Sequence, residues 1–335
     1  MDDLKLSHVD PDEVTKIITK LSEEFGAVSP LTVNRGKIHD YLGMVLDFSE
    51  VGVVSVSMQK YIEDILAEMP EKMSGTAPTP AANHLFNVSL ESPLLVPSEQ
   101  EFFHHVVAQL LFLCKGARPD IQTAIAFLYT RVQHPTDEDY AKLARVICYL
   151  RGSTSLPLRL QADSLTISNW WIDASYAVHP DFKSHTGGVF SLGRGGIYGT
   201  STRQKINAKS STEAELIGVA EVLPQVLWTR YFLQAQGFTD VDTVVHQDNK
   251  STILFCNNGT ASSSKRTRHI NVRYFFVADR VQHKELRIDY CPTQEMIADF
   301  FTKPLQGAQF LKFLNFIMNV APAFSPPARS KECVE

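Results

Sequence analysis

The chain has 335 residues, 44% hydrophobic and 21% charged, with a formal net charge of −5. That length suits two domains rather than one, and the balance excludes a largely disordered chain. It also excludes a protein that grips an acidic partner through overall charge, so any such grip has to come from local basic clusters.

The five cysteines, Cys114, Cys148, Cys256, Cys291 and Cys333, are odd in number and lie far apart without a C-x-x-C pair. This argues against a zinc module or a disulfide framework and for a reducing compartment. The opening MDDLKLSHVD has no apolar signal core. The best apolar run, Val106 to Cys114, is too short to span a bilayer. The expectation is a protein that is not secreted and has no membrane partner, cytoplasmic (in a particle or free) or nuclear.

The spacing of Val14, Ile17, Ile18 and Leu21 predicts an amphipathic helix over 10–25, stopped by Gly26. Segments 37–48 and 51–58 predict the two strands of a β-hairpin, and 59–69 predicts another helix. Residues 74–100 hold four prolines and predict an extended connection. Helices follow at about 101–114, 119–130 and 137–150. From Leu165 the rhythm turns to strands: 165–177, then 187–195 and 196–204. A long helix over 211–236 carries Leu216, Ala220, Leu223 and Leu227 on one face, and Pro224 is expected to bend or interrupt it. A strand at 242–248, helices at 250–257 and 272–282, a strand at 285–291 and a last helix from about Gln294 complete the pattern. The order βββ-α-β-α-α-β-α predicts a mixed α/β domain in which a meander opens onto parallel crossovers. The polar tail, 325–335, reads as disordered.

Four acids stand out. Asp173 closes the first of these strands after Trp170, Trp171 and Ile172; Asp248 closes the fourth after Val244 and Val245; Asp299 sits inside the apolar run 296–301. A carboxylate among such neighbours is costly unless paired or bound to a cation. In SSTEAEL, Ser210 and Glu213 fit a capping box, whereas no capping role explains Glu215, at the edge of the apolar face. Taken singly, each acid reads more readily as a cap, a turn residue or an ion-pair partner. Together, with no cysteine or histidine ligand pattern, they suit Mg²⁺ or Mn²⁺, and two such ions can serve phosphodiester cleavage. Two basic clusters, Arg203, Lys205 and Lys209, then Lys265, Arg266 and Arg268, are either solvated surface or contacts to phosphates.

The segments DYLGM (40–44), RPDIQTAIAFL (118–128), KSHTGG (183–188), RQKINAKSSTEAEL (203–216), QDNKS (247–251), KRTRHINVRYFF (265–276) and ADFFTKPL (298–305) resemble, in order, the C-terminal part of a copia-type long-terminal-repeat retrotransposon polyprotein. The resemblance covers nearly the whole chain. It implies a ribonuclease H-like mixed-sheet α/β domain over 160–312, with Asp173, Glu215, Asp248 and Asp299 as catalytic, metal-binding acids. This domain would cut the RNA strand of an RNA–DNA hybrid, reading the 2′-hydroxyl. Residues 1–155 resemble the α+β end of a reverse transcriptase: the end of the palm, a primer-grip hairpin at DYLGMVLDF, then thumb and connection. Residues 313–335 would form a partly disordered tail. Asp2 and Asp3 coincide with the last two positions of the polymerase Y-x-D-D motif, and the partner aspartate of that site has no counterpart in these residues. Polymerase activity is therefore not expected, and the rest of a retroelement polyprotein is an expected partner.

One departure concerns the loop before the last catalytic element. Many ribonucleases H carry a histidine there; here the chain runs from Asp289 through Cys291 and Thr293 into Glu295 with none, and His269 is the nearest candidate. Two other readings stay open at this point. One is a catalytically silent nucleic-acid-binding remnant. The other is an integrase-like nuclease of the same fold, although neither its acid spacing nor a zinc module is present.

Overall fold

The computed structural model describes residues 3–258 and 268–320. Asp2, Lys265, Arg266, the side chain of Arg268 and the tail 325–335 lie outside the described residues.

Helix α1, Pro11–Phe25, is opened by Asp10, whose carboxylate accepts a hydrogen bond from the Asp12 N–H, with proline in the first turn. Strands β1, Ile38–Tyr41, and β2, Met44–Asp47, form a hairpin of their own. Its turn is Leu42–Gly43, both at positive φ (50° and 77°), the pairing that matches the twist of the flanking strands. The segment expected as one strand is therefore folded in two, and with β3, Val53–Ser57, it makes a three-stranded meander. Helices α2, Gln59–Ala67, α3, Pro97–Gly116, α4, Gln122–Tyr129, and α5, Asp137–Arg151, follow. Helix α3 starts four residues before the expected Glu101 because Pro97, lacking an N–H, suits a first helical turn. Helix α5 has a full capping box between Thr136 and Asp139.

A strand the sequence reading does not anticipate, β4, Leu158–Ala162, pairs antiparallel with β3 and joins the chain's second half to the first sheet. Its signal is the period-two run Leu156, Leu158, Leu160. The first sheet has the order β1-β2-β3-β4-β7, where β7 is Gly193–Arg194.

The second sheet contains β5, Ile167–Ser175, β6, His185–Ser191, β8, Tyr198–Arg203, β9, Asp242–Gln247, and β10, Arg287–Tyr290. Its order is β10-β9-β5-β6-β8, with β10, β9 and β5 parallel and β6 antiparallel to both neighbours. Helices α6, Ser211–Ala235, α7, Lys250–Asn258, and α8, Arg268–Gln282, complete the crossovers. The expected mixed α/β class and the meander-then-crossover order are both present. Helix α6 runs through Pro224 without interruption, its flanks Val219, Val222, Leu223 and Val226 being buried in one core with Trp170 and Ile172. That burial outweighs the single backbone bond a proline removes. The helix expected from Gln294 is instead two 3₁₀ turns, Thr293–Glu295 and Ile297–Phe301, followed by α9, Gly307–Ile317. Pro304 ends the run, and the close approach of Ala298, Phe301 and Thr302 to Gly187 accompanies the tighter turns. Ordered structure thus continues beyond residue 312. No helix among the described residues is long and apolar enough to cross a membrane.

One hydrophobic core spans both halves. Phe103, Leu110, Ile125 and Ile147 share it with Val189, Phe301, Phe310, Phe313, Leu314 and Ile317. Burying each of those last six side chains contributes about 1.5–3 kcal/mol. Their sum is comparable to the entire net stability of a domain, about 5–15 kcal/mol. A fragment beginning at residue 156 should therefore fail to show a cooperative thermal transition, even though the length suits two domains. A sharp calorimetric transition for that fragment would contradict this.

A second seam is aromatic. Phe86 and Phe127 pack on the rings of His179 and His185, and the two imidazoles are hydrogen-bonded to each other (2.9 Å) and onward to Ser201 (2.7 Å). Burial is the main cause that lowers both imidazole pKa values, His179 to about 4 and His185 to about 3. A lowered histidine stabilises the fold above its unfolded pKa near 6.5, and that contribution drains away as pH falls toward the folded value. The stability advantage of the natural protein over His185→Gln should shrink by roughly 2 kcal/mol between pH 7 and 5. Denaturant unfolding at the two pH values measures it, and an unchanged difference would mean that His185 is not held neutral.

Candidate functional site

The parallel register of β5 and β9 pairs Trp171 with His246, so two residues further on Asp173 and Asp248 come level at the C-terminal ends of adjacent strands. This is the edge where α/β sheets commonly place their chemistry. Asp173 is not the last residue of its strand: β5 continues to Ser175 against β6 while its ladder with β9 has already ended. Trp171 stacks on His246 one step below, with Phe316 at its edge.

Glu215 comes from the second turn of α6. Gln204, fully buried, donates to the Ala214 carbonyl (2.8 Å) and to Thr186 Oγ1 (3.0 Å), which pins the start of α6 to the sheet. At Gly218 a Cβ would stand at ordinary contact distance from Thr186 and Ala174, so the packing there does not depend on glycine. Ser210 Oγ caps the helix by accepting the Glu213 N–H (3.2 Å). Glu213 reaches back one residue further than expected, accepting from the Lys209 N–H (2.9 Å) rather than from Ser210. Its structural assignment stands, with a different partner.

Asp173, Glu215 and Asp248 each offer a carboxylate oxygen within 4.8 Å of the others. Gln247 Nε2 donates to Glu215 and to the Ile172 carbonyl (both 3.3 Å), and Thr293 Oγ1 donates to Asp248 (2.8 Å). Burial, then the charges of Asp173 and Asp248, push the Glu215 carboxyl well above the usual carboxylate range. Three mutually repelling hard oxygen donors, mostly cut off from water, fit a divalent cation such as Mg²⁺ or Mn²⁺.

Asp299, on the 3₁₀ turn Ile297–Phe301, lies beside Asp173 but outside that trio. Burial, then Asp173, raises its carboxyl to about 7. Two neighbours missed in the sequence reading complete the cluster. Thr302 Oγ1 donates a short hydrogen bond to Asp173, and Lys303 Nζ lies 2.6 Å from Asp299 and 3.7 Å from Asp173. Both belong to ADFFTKPL, and Lys303 stands four residues after Asp299, the spacing that could have flagged it.

The basic residues are placed less tightly. Arg203 ends β8 and is already paired with Asp181 (3.3 Å), so it is only partly available; Lys205 and Lys209 are exposed on the segment leading into α6. Asp3 is exposed near the Leu42 turn, far in sequence from the acidic cluster.

The turn carrying Asp299 and Thr302 can approach Asp173 only because Gly187, paired with Asp173 across the strands, has no side chain. A Cβ there would stand 2.5 Å from Thr302 Cγ2 and 2.9 Å from the Ala298 carbonyl oxygen. Backbone atoms cannot yield as a side-chain tip does. Gly187→Ala should lower stability by about 1–3 kcal/mol through overpacking. A melting temperature equal to that of the natural protein would disprove the tight approach.

No protein-family model matches the chain. A retrovirus-related Pol polyprotein from transposon TNT 1-94 of Nicotiana tabacum is 29% identical over 316 residues, 92% of this chain and 23% of that protein. A second, from transposon RE1 of Arabidopsis thaliana, is 28% identical over 320 residues, 95% of this chain and 21% of that protein. The chain spans about a fifth of the length of these curated relatives. Among solved structures, LC11-RNase H1, isolated from compost, is 13% identical, covering 40% of this chain and 91% of its own, with a TM-score of 0.31. The N-terminal RNase H domain of a Mycobacterium tuberculosis protein is 12% identical, covering 41% and 91%, with a TM-score of 0.30. Along nearly its full length, the chain is similar to one stretch of retrovirus-related Pol polyproteins from transposons.

Proposed function

We propose that the chain cleaves the RNA strand of RNA–DNA hybrids with the help of Mg²⁺ or Mn²⁺, two ions being engaged in the reacting complex. The observation that carries this is the trio Asp173, Glu215 and Asp248, converging from a strand, a helix and a strand end with oxygens within 4.8 Å. Similarity to Pol polyproteins supports the same reading. In this proposal residues 160–312 carry the nuclease, and residues 1–155, similar to part of the same Pol polyproteins, brace it. A longer polyprotein is the proposed partner.

Bound divalent ions would supply charge stabilisation at the scissile phosphate and ease deprotonation of a water. The chain's own residues do the rest. Asp173, Glu215 and Asp248 would hold the ions, with Asp299 closing the Asp173 side. Thr302, Gln247 and Thr293 fix the carboxylates in place, so that little reorganisation is needed when substrate arrives. Lys205 and Lys209, exposed beside the helix that carries Glu215, would contact phosphates and set register without reading sequence. Lys265, Arg266 and Arg268 are proposed for the same task.

Asp248→Asn should abolish cleavage of a labelled hybrid while leaving binding nearly intact, and binding should weaken steeply with salt. Glu215→Gln should do the same. Glu213→Gln should remain active, because glutamine can still accept from the Lys209 N–H, and the change should cost only a fraction of the ~1 kcal/mol typical of a cap. The assay is hybrid cleavage across Mg²⁺ concentrations beside binding of the same duplex. Undiminished cleavage by Asp248→Asn, or a dead Glu213→Gln beside an active Glu215→Gln, would overturn the site. Hybrid bound but never cut by the natural protein would leave a binding module instead.

A further inference from the structure

The acidic cluster is not symmetric. Asp173, Glu215 and Asp248 share one close spacing, and Asp299 is not part of that group. The Asp299 and Asp173 side chains meet in a hydrogen bond, and an ammonium stands against both: Lys303 Nζ is 2.6 Å from one and 3.7 Å from the other. We infer that, in the free protein, Lys303 holds the Asp173–Asp299 edge in place of a second divalent ion. The free protein then loads one ion, on Asp173, Glu215 and Asp248. This rests on the metal-dependent reading above.

The backbone makes this placement a built feature. The Lys303 N–H donates to the Asp299 carbonyl (2.9 Å), so both side chains leave one short turn. Pro304 follows directly and narrows the backbone choices of Lys303. The contact to Asp173 is made to the oxygen that also accepts the Thr302 hydroxyl, so that oxygen is engaged twice. A lysine ammonium is a compact point charge, able to stand where a small cation would. Its side chain is 39% exposed, which leaves it a route out of the site when a phosphate and its accompanying cation arrive. Lys303 is in this sense a positioning residue that sets how many ions the resting site holds.

The test uses the full chain and Mn²⁺ alone. Free Mn²⁺ is followed by electron paramagnetic resonance during titration of the natural protein, Lys303→Gln, Lys303→Arg and Asp248→Asn. The expected result is one tightly held Mn²⁺ in the natural protein and in Lys303→Arg, and two in Lys303→Gln, whose second site should tighten at least tenfold. Asp248→Asn should lose the first ion. One ion in both the natural protein and Lys303→Gln, or two equally tight ions in the natural protein, would overturn the role of Lys303 and leave the metal site standing. Mn²⁺ bound by none of them would overturn both. Thermal unfolding gives a readout independent of stoichiometry. Lys303→Gln leaves the Asp173–Asp299 edge uncompensated, so Mn²⁺ should raise its melting temperature more than that of the natural protein. An equal or smaller rise would count against the proposal.

Discussion

The structure is organised around a repulsion. Three carboxylates with oxygens within 4.8 Å of one another, two of them buried, are brought to one sheet edge. At an effective dielectric of about 20, a pair of unit charges at that separation costs roughly 3–4 kcal/mol. Three such pairs would consume a sum close to the whole net stability of a domain. Full ionisation without a counter-charge is therefore not open to this fold. The compensation takes three forms: the Glu215 carboxyl holds its proton far above the usual range, Thr302 and Gln247 donate to the oxygens, and Lys303 brings an ammonium to the Asp173 side. A cluster held together this way stores an affinity for cations.

Keeping the carboxylates crowded requires rigid elements behind them. The parallel register of β5 and β9 fixes Asp173 against Asp248, Gln204 fixes the start of α6, and Gly187 admits the turn bearing Asp299 and Thr302. That turn is in turn held from the other half of the molecule. Thr123 donates to the Phe300 carbonyl (2.6 Å), and Gln122 bonds the carbonyl of Gly199, whose missing side chain leaves room for Phe301. The first half of the chain thus braces the site through a shared core, although it contributes none of the four acids.

Much of this was legible in the residues. The acids Asp173, Glu215 and Asp248 stood out because each follows an apolar run or lacks a capping role, and those are local properties. The mixed α/β order followed from the change of period at Leu165. What escaped the reading was long-range. Strand β4 has the right alternation but is five residues long, and its partner β3 lies about a hundred residues away. Lys303 looks like any surface lysine until the turn after Asp299 is seen to fold under Gly187. Arg203 looked like a free phosphate contact, and only the fold brings Asp181 to it. The last helix was misplaced because proline and close glycine contacts, rather than hydrophobic period, decide the shape of 293–306.

The charge balance has a consequence for how a nucleic acid could approach. The chain is acidic overall, and the candidate site adds four carboxylates against one ammonium. A phosphodiester brought to that edge meets a like charge, and in a partly buried site salt screens this poorly. In the proposed reaction the exposed Lys205 and Lys209 would hold a duplex by its backbone, but the scissile phosphate itself would settle only once the local negative charge has been offset. Protonation of Glu215 lessens the repulsion without reversing it. A divalent cation cancels most of it, so in the proposed reaction the cation is a condition of productive binding as well as of chemistry. Lys303 then bears on both, being the one positive charge already inside the cluster among the described residues.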